Sequence, residues 1–169
     1  MADRRKVLRA AALVPLGLVA GCGFQLRKAP DFAFASIYIA APTGSPLANE
    51  LRRNFASIDT VRLLAPEQPP ASADVVLELG AEQRQKVVVG LTASGQVREF
   101  QLRSAVTFSL RTPAGRQLIA PTTLEQQRDV SFNESAVLAK EAEDNLLYRD
   151  MQSDLVQQLI RRVAAVKAA

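Results

Sequence analysis

The sequence predicts an α+β domain: two helices packed on one face of a small, mostly antiparallel sheet of about four strands. Three observations carry that expectation. Residues 97 to 111 alternate, with Phe100, Leu102, Val106, Phe108 and Leu110 on one face and Glu99, Gln101, Arg103, Thr107 and Ser109 on the other. Residues 46 to 57 set Leu47, Leu51 and Phe55 four apart, and from "SFNES" onward the chain adopts a helical period and keeps it to its end. Between these helices the extended segments are joined by short glycine-containing turns, the mark of an antiparallel meander with one apolar and one polar face.

Residues 24 to 35 carry Arg27, Lys28, Pro30 and several small residues and read as a tether. "SIYIAAP", residues 36 to 42, follows as a short strand with Ile37 and Ile39 on one face. Thr43-Gly44-Ser45-Pro46 is a turn ending in an N-cap serine and a proline at the first helical position, where its missing N–H costs nothing. In the helix that follows, Asn49, Arg52, Arg53 and Asn54 lie largely outside the apolar stripe. "TVRLLA", residues 60 to 65, has the composition of a short strand, and "PEQPPASA", residues 66 to 73, that of a surface loop. From Asp74 to about Leu91 the pattern is extended. Ser94-Gly95 and "TPAGRQ" mark two hairpin turns, and residues 117 to 130 form a further long strand, broken or bulged near Pro121 because proline cannot donate to a ladder. In the last helix Leu147, Met151, Leu155, Leu159 and Val163 trace one face, widened by Val156 and Ile160. Ser131 or Asn133 can cap it. Glu134, Glu141, Glu143 and Asp144 load its front and Arg161, Arg162 and Lys167 its back, the sense that a helix dipole favours.

At the front, residues 3 to 9 are basic, residues 10 to 20 are apolar, and Ala20-Gly21 is a small-residue cleavage neighbourhood, as in a secretory signal. The apolar stretch is about half the roughly 20 residues of a spanning helix, and Pro15 interrupts it. Val19-Ala20-Gly21-Cys22 resembles the bacterial lipobox, whose cysteine takes a diacylglycerol thioether and becomes the first mature residue. An N-acyl S-diacylglycerol on Cys22 is the covalent lipid this implies; no cofactor is expected. Each buried methylene adds about 0.8 kcal/mol, so several chains on one cysteine anchor durably. Gly23 stands where lipoproteins of this look carry Asp for inner-membrane retention, which favours the outer membrane, periplasmic side. An incidental cysteine in a generic signal, and export by the twin-arginine rather than the general route, stay open as alternatives. The chain then divides into a removed signal peptide (1–21), a lipidated tether (22–35) and one α+β domain (36–169).

Composition excludes several functions. The sequence has no histidine and one cysteine, so a zinc site of His and Cys, a Ser-His-Asp triad, a Cys-His pair and an internal disulfide cannot be built within it. Its formal charge is +4, but without residues 1 to 21 there remain 17 basic and 16 acidic residues, a net of +1. With no long basic run interleaved with aromatics, nucleic acid is not an expected partner. Carboxylate pairs such as Glu141 with Asp144 or Glu78 with Glu99 are the only raw material for catalysis, and no nucleophile motif accompanies them.

The lipobox followed by Gly23-Phe24-Gln25-Leu26-Arg27, the segment "SGQVREFQLR" and above all "SAVLAKEAEDNLLYRDMQSDLVQQLIRRV" resemble, in order, the LPS-assembly lipoprotein LptE family. The resemblance implies a non-enzymatic fold of two helices on a small sheet, lodged as a plug in the lumen of the LptD β-barrel. It implies help in LptD assembly and binding of lipopolysaccharide on its way to the outer leaflet. A polar face of Glu99, Gln101, Arg103, Thr107 and Ser109 suits a wet barrel interior as well as it suits bulk water.

For lipopolysaccharide, whose lipid A bears phosphates, the family's contacts lie at the hairpin tip and in the "LAK" segment opening the last helix. Lys140 matches the second position. Ala93 stands where the family can carry arginine, so Arg98 is the nearest substitute, with Lys86 and Arg103 farther along the strands. The plainer readings are a solvated Lys140 paired with Asp144 at i+4, and Arg98 or Arg103 paired across strands with a carboxylate such as Glu82. Met151 belongs to the apolar stripe, and Arg149 and Asp150 lie off it. A rival to the family reading is a generic lipid-anchored accessory subunit of an ABC transporter or secretion system.

Overall fold

A computed structural model describes residues 31–133 and 137–167, and within them residues 97–111 form the long strand around which the sheet is ordered. The elements are β1 (Ser36–Ala40), α1 (Pro46–Ala56), β2 (Arg62–Leu63), a 3₁₀ turn (Pro70–Ser72), β3 (Val75–Leu79), β4 (Gln83–Leu91), β5 (Val97–Arg111), β6 (Gln117–Ser131) and α2 (Val137–Ala164). Cys22, the signal and most of the tether lie outside the described residues, as does Glu134.

The α+β class and the two helices stand, but the sheet has six strands and is mixed rather than about four and mostly antiparallel. Strand β1 pairs in parallel with both β2 and β3. Parallel neighbours need a crossover of a dozen or more residues, and α1 supplies it. Alternation within a five-residue strand does not reveal its partner's direction. Only hairpin turns do so locally, and those occur after β4 and after β5.

Strands β3 and β4 share one edge of β5: Val76–Leu79 lie opposite Arg111–Phe108, and Gln83–Leu91 lie opposite Ala105–Val97. Between them Gly80 N–H still donates to Thr107 O at 2.8 Å. The extended segment 74–91 is thus one course of chain interrupted at residues 80–82. The other edge of β5 is paired with β6 along nearly its whole length. Opposite Ser109 that ladder slips, since Phe108 pairs with Thr122 while Leu110 pairs with Ile119, and Pro121 sits in the resulting bulge.

Both hairpins are built alike. Thr92 and Thr112 each accept, through Oγ1, the N–H of the residue four later at 3.1 Å, and Gly95 and Gly115 occupy the left-handed region at φ +83° and +92°. At α1, Ser45 Oγ accepts the Ala48 N–H at 3.2 Å and Pro46 opens the helix.

The main core joins Leu47, Leu51 and Phe55 of α1, Leu155, Leu159 and Val163 of α2, and Ile37, Leu77, Phe108 and Leu110 of the sheet. Burial of each such leucine or phenylalanine contributes about 1.5–3 kcal/mol. A smaller cluster of Leu102, Val130 and Met151 lies farther along β5, with Leu147 and Tyr148 packed against it. Nearer its start α2 exposes Leu146 and Leu138, the latter 82% exposed.

Candidate functional site

Beyond β3, the β4–β5 hairpin continues with α2 laid across it, and there the contact between helix and sheet becomes polar. Alternation along β4 sends Arg84 and Lys86 toward α2. Arg84 pairs with Glu82 at 2.8 Å, donates to Gln152 Oε1 at 2.9 Å and holds its guanidinium 5.3 Å from the Tyr148 ring centre. Glu82 also accepts a 2.8 Å hydrogen bond from Ser104, which is fully buried. Gln152 in turn donates to Glu50 of α1. One polar chain therefore ties β5, β4, α2 and α1 between the two apolar clusters.

About two turns before Gln152 on α2, Asp144 pairs with Lys86 Nζ, and that ammonium sits 4.4 Å above the Phe100 ring. Asp144 is buried, and its Oδ1 has no hydrogen-bond partner. Phe100 meets Phe132 edge to face at 5.3 Å. Tyr148 Oη donates to Gln85 O at 2.8 Å. Burial pushes this phenol's pKa up, the Asp144 charge adds to the rise, and Arg84 opposes both.

Two of the three cations singled out from the sequence lie toward the outer end of this hairpin. Lys140 Nζ contacts Glu143 at 2.8 Å and Ser131 Oγ at 3.4 Å. The next residue, Phe132, donates its N–H to Arg98 O at 2.8 Å, so Arg98 lies beside it on the adjoining strand. Arg98 is exposed, and on the same hairpin Val88, Val89 and Leu91 are 45–60% exposed. Arg103 stands apart. Five residues from Arg98, it falls on the opposite face of β5, where its Nε donates to Gln101 Oε1 at 2.8 Å and Gln101 donates to Asp129 at 2.9 Å.

The simple pairings read from the sequence are replaced. Lys140 bonds Glu143 rather than Asp144, which Lys86 claims, and Glu82 serves Arg84 and Ser104 rather than Arg98 or Arg103. Glu78 is engaged by Arg111 and Ser109, and its partner strand places Glu99 ten residues from Ser109, so those two carboxylates form no pair. The seating of Lys86 between Asp144 and Phe100 was not legible in advance. Its one sequence signal was the alternation of "QRQKV", which puts Arg84 and Lys86 on one face.

The sequence profile described as "LptE: Lipopolysaccharide-assembly" matches residues 34–163. The chain belongs to the LptE family. It is 28% identical to the LPS-assembly lipoprotein LptE of Photorhabdus laumondii across 98% of this chain and 90% of that one. With the protein of the same name from Yersinia enterocolitica the identity is 26%, across 98% and 79%. The solution structure of lipoprotein B from Nitrosomonas europaea superposes with a TM-score of 0.71 at 31% identity, covering 85% of this chain and 91% of its own. The rare lipoprotein B of Shewanella oneidensis shares the fold at 20% identity and a TM-score of 0.66, covering 77% and 94%. LptE proteins are lipoproteins of lipopolysaccharide assembly and not enzymes. Among the described residues no helix is long and apolar enough to cross a membrane, and no cluster of His, Cys, Asp and Glu could hold a metal.

Proposed function

We propose that this LptE-family lipoprotein is anchored through Cys22 on the periplasmic side of the outer membrane. There it plugs and assists assembly of the LptD barrel and binds lipopolysaccharide during its delivery to the outer leaflet. The observation that carries the binding role is the outer end of the β4–β5 hairpin, which exposes Val88, Val89 and Leu91 and carries Arg98, with Lys140 reaching Ser131 of the adjoining strand β6. A ligand with phosphates next to acyl chains needs that combination of cations and apolar surface. Arg103 belongs to the other face, whose Gln101–Asp129 and Thr107–Thr123 side-chain contacts make a polar surface suited to a wet barrel lumen.

Lys140→Glu is expected to weaken lipopolysaccharide binding about ten- to a hundredfold, the scale of one charge-assisted contact, with the circular dichroism spectrum unchanged. Unchanged affinity in a direct assay overturns the role of Lys140. Crosslinkers at Gln101 or Thr107 are expected to trap LptD; capture of inner-membrane or soluble proteins instead favours the accessory-subunit reading. Cys22→Ala is expected to leave an unlipidated precursor by mass spectrometry, and acyl chains on that variant refute the anchor.

A further inference from the structure

At the opposite end of the domain, where the tether enters, we propose a membrane-facing surface that takes the phosphate headgroups of anionic phospholipids. It rests on the Cys22 anchor proposed above. Three cations from different elements converge there: Arg116 from the β5–β6 turn, Arg162 from the last turn of α2, and Lys167 beyond it. Arg116 and Lys167 line two adjoining clefts of about 330 and 570 Å³ that also share Leu118 and Val166, and Arg162 lines the second. Leu118 and Val166 give both clefts an apolar part, and Phe34 of the incoming chain lines the first.

Elsewhere Arg84, Lys86, Arg111, Arg128 and Lys140 each have a carboxylate partner. Arg116, Arg162 and Lys167 have none among the described residues, as is true also of Arg52, Arg53, Arg98, Arg103, Arg149 and Arg161, and what sets the three apart is that they line one pair of adjoining clefts. Asp74 is the one carboxylate on the cleft walls, and its Oδ2 already accepts the N–H groups of Ala35 and Ser36 at 2.9 Å each. The negative end of the helix dipole accounts for Arg162. It does not account for Arg116, which the sheet delivers, or for placing both beside Leu118 and Val166.

The tether decides the occupant. Asp31 is nine residues after Cys22, a span of at most roughly 30 Å when fully extended. Acyl chains on Cys22 therefore hold this end near the bilayer surface, while the hairpin tip lies a 15-residue strand away. A lipid anchor combined with a basic patch binds membranes more tightly than either alone, and each basic residue near an anionic surface contributes a several-fold gain.

The test uses the mature lipoprotein in phosphatidylethanolamine vesicles with or without phosphatidylglycerol, with a fluorophore on Gln117→Cys or on Ser94→Cys and a quencher on lipid headgroups. Quenching is expected at position 117 and not at 94, and to depend on phosphatidylglycerol. The combined substitution Arg116→Gln, Arg162→Gln and Lys167→Gln is expected to lower the docked-to-undocked ratio about a hundredfold. Equal quenching at both positions, or quenching indifferent to the three substitutions, overturns the proposal. Flotation with vesicles in 1 M salt, where screening removes surface attraction, reads the anchor separately. Flotation without quenching at 117 sinks the headgroup surface alone, whereas loss of flotation sinks the anchor and this surface with it.

Discussion

Replacing Lys86 with methionine tests how the outer half of α2 is held. The substitution keeps most of the side chain's volume and removes its charge, leaving Asp144 buried with neither oxygen paired, since Oδ1 already lacks a partner. Removing one member of a fully buried ion pair costs about 3–5 kcal/mol. Here the Asp144 side chain is 12% exposed but that of Lys86 is 34% exposed, so water relieves part of the penalty and about 2 kcal/mol is expected. Loss of the ammonium above Phe100 adds about 0.5 kcal/mol. The sum, about 2.5 kcal/mol, is several times the 0.2–0.5 kcal/mol of a helix-surface pair such as Lys140–Glu143. Urea denaturation of residues 22–169 should show the midpoint falling by about 1 M, for a slope of about 2 kcal/mol/M. Asp144→Leu combined with Lys86→Met should recover much of the loss, because the orphaned carboxylate is gone. A single substitution no costlier than Lys140→Met, or a double no better than the sum of its singles, refutes the assignment of Asp144 as a buried charge that depends on Lys86.

Ser45→Ala removes the acceptor for the Ala48 N–H and should cost about 1 kcal/mol in thermal or chemical unfolding, with Ser45→Gly costing less. Asp74 has its pKa lowered chiefly by its hydrogen bond with Ser36, helped by the Ala35 and Ser36 N–H groups against the cost of burial, and Glu78 has its pKa lowered chiefly by Arg111. A carboxylate lowered on folding stabilises above its unfolded pKa, near 4, and that stabilisation is lost as pH falls through the folded value. The stability deficit of Asp74→Ala should therefore be largest at neutral pH and shrink on acidification below pH 4. A deficit independent of pH in denaturation curves contradicts the hydrogen-bonded carboxylate.

What could be read from the sequence was what depends on neighbours along the chain. Ser45-Pro46 opened α1 as expected, and the glycines of both hairpin turns took the left-handed conformation that those turns require. The alternation of β5 and the stripe from Met151 to Val163 named the core faces, because burial follows from period once the element is right. Pairings between distant segments were not legible. The parallel union of β1 with β2 and β3 is set by where α1 lands, and no turn residue signals it. Asp144 is four residues from Lys140 on one helical face, yet a lysine from β4 takes it, a competition that spacing along one helix does not contain. For the same reason Arg98 and Arg103 shared a segment of sequence but not a surface: an odd separation along a strand places them on opposite sides.

The paired strands β5 and β6, each of 15 residues, also fix a length. At about 3.3 Å per residue they span about 45 Å, more than the roughly 30 Å hydrocarbon thickness of a bilayer. The hydrogen-bonded ribbon between the two glycine turns acts as a ruler that can be shortened only in coarse steps. Deleting one residue from each strand inverts every side chain beyond the cut, turning the face of Leu102 and Phe100 outward. Deleting two keeps the faces in phase and draws the ends together by about 7 Å. The separation between the cation-bearing hairpin and the tether is thus quantised by the pleat.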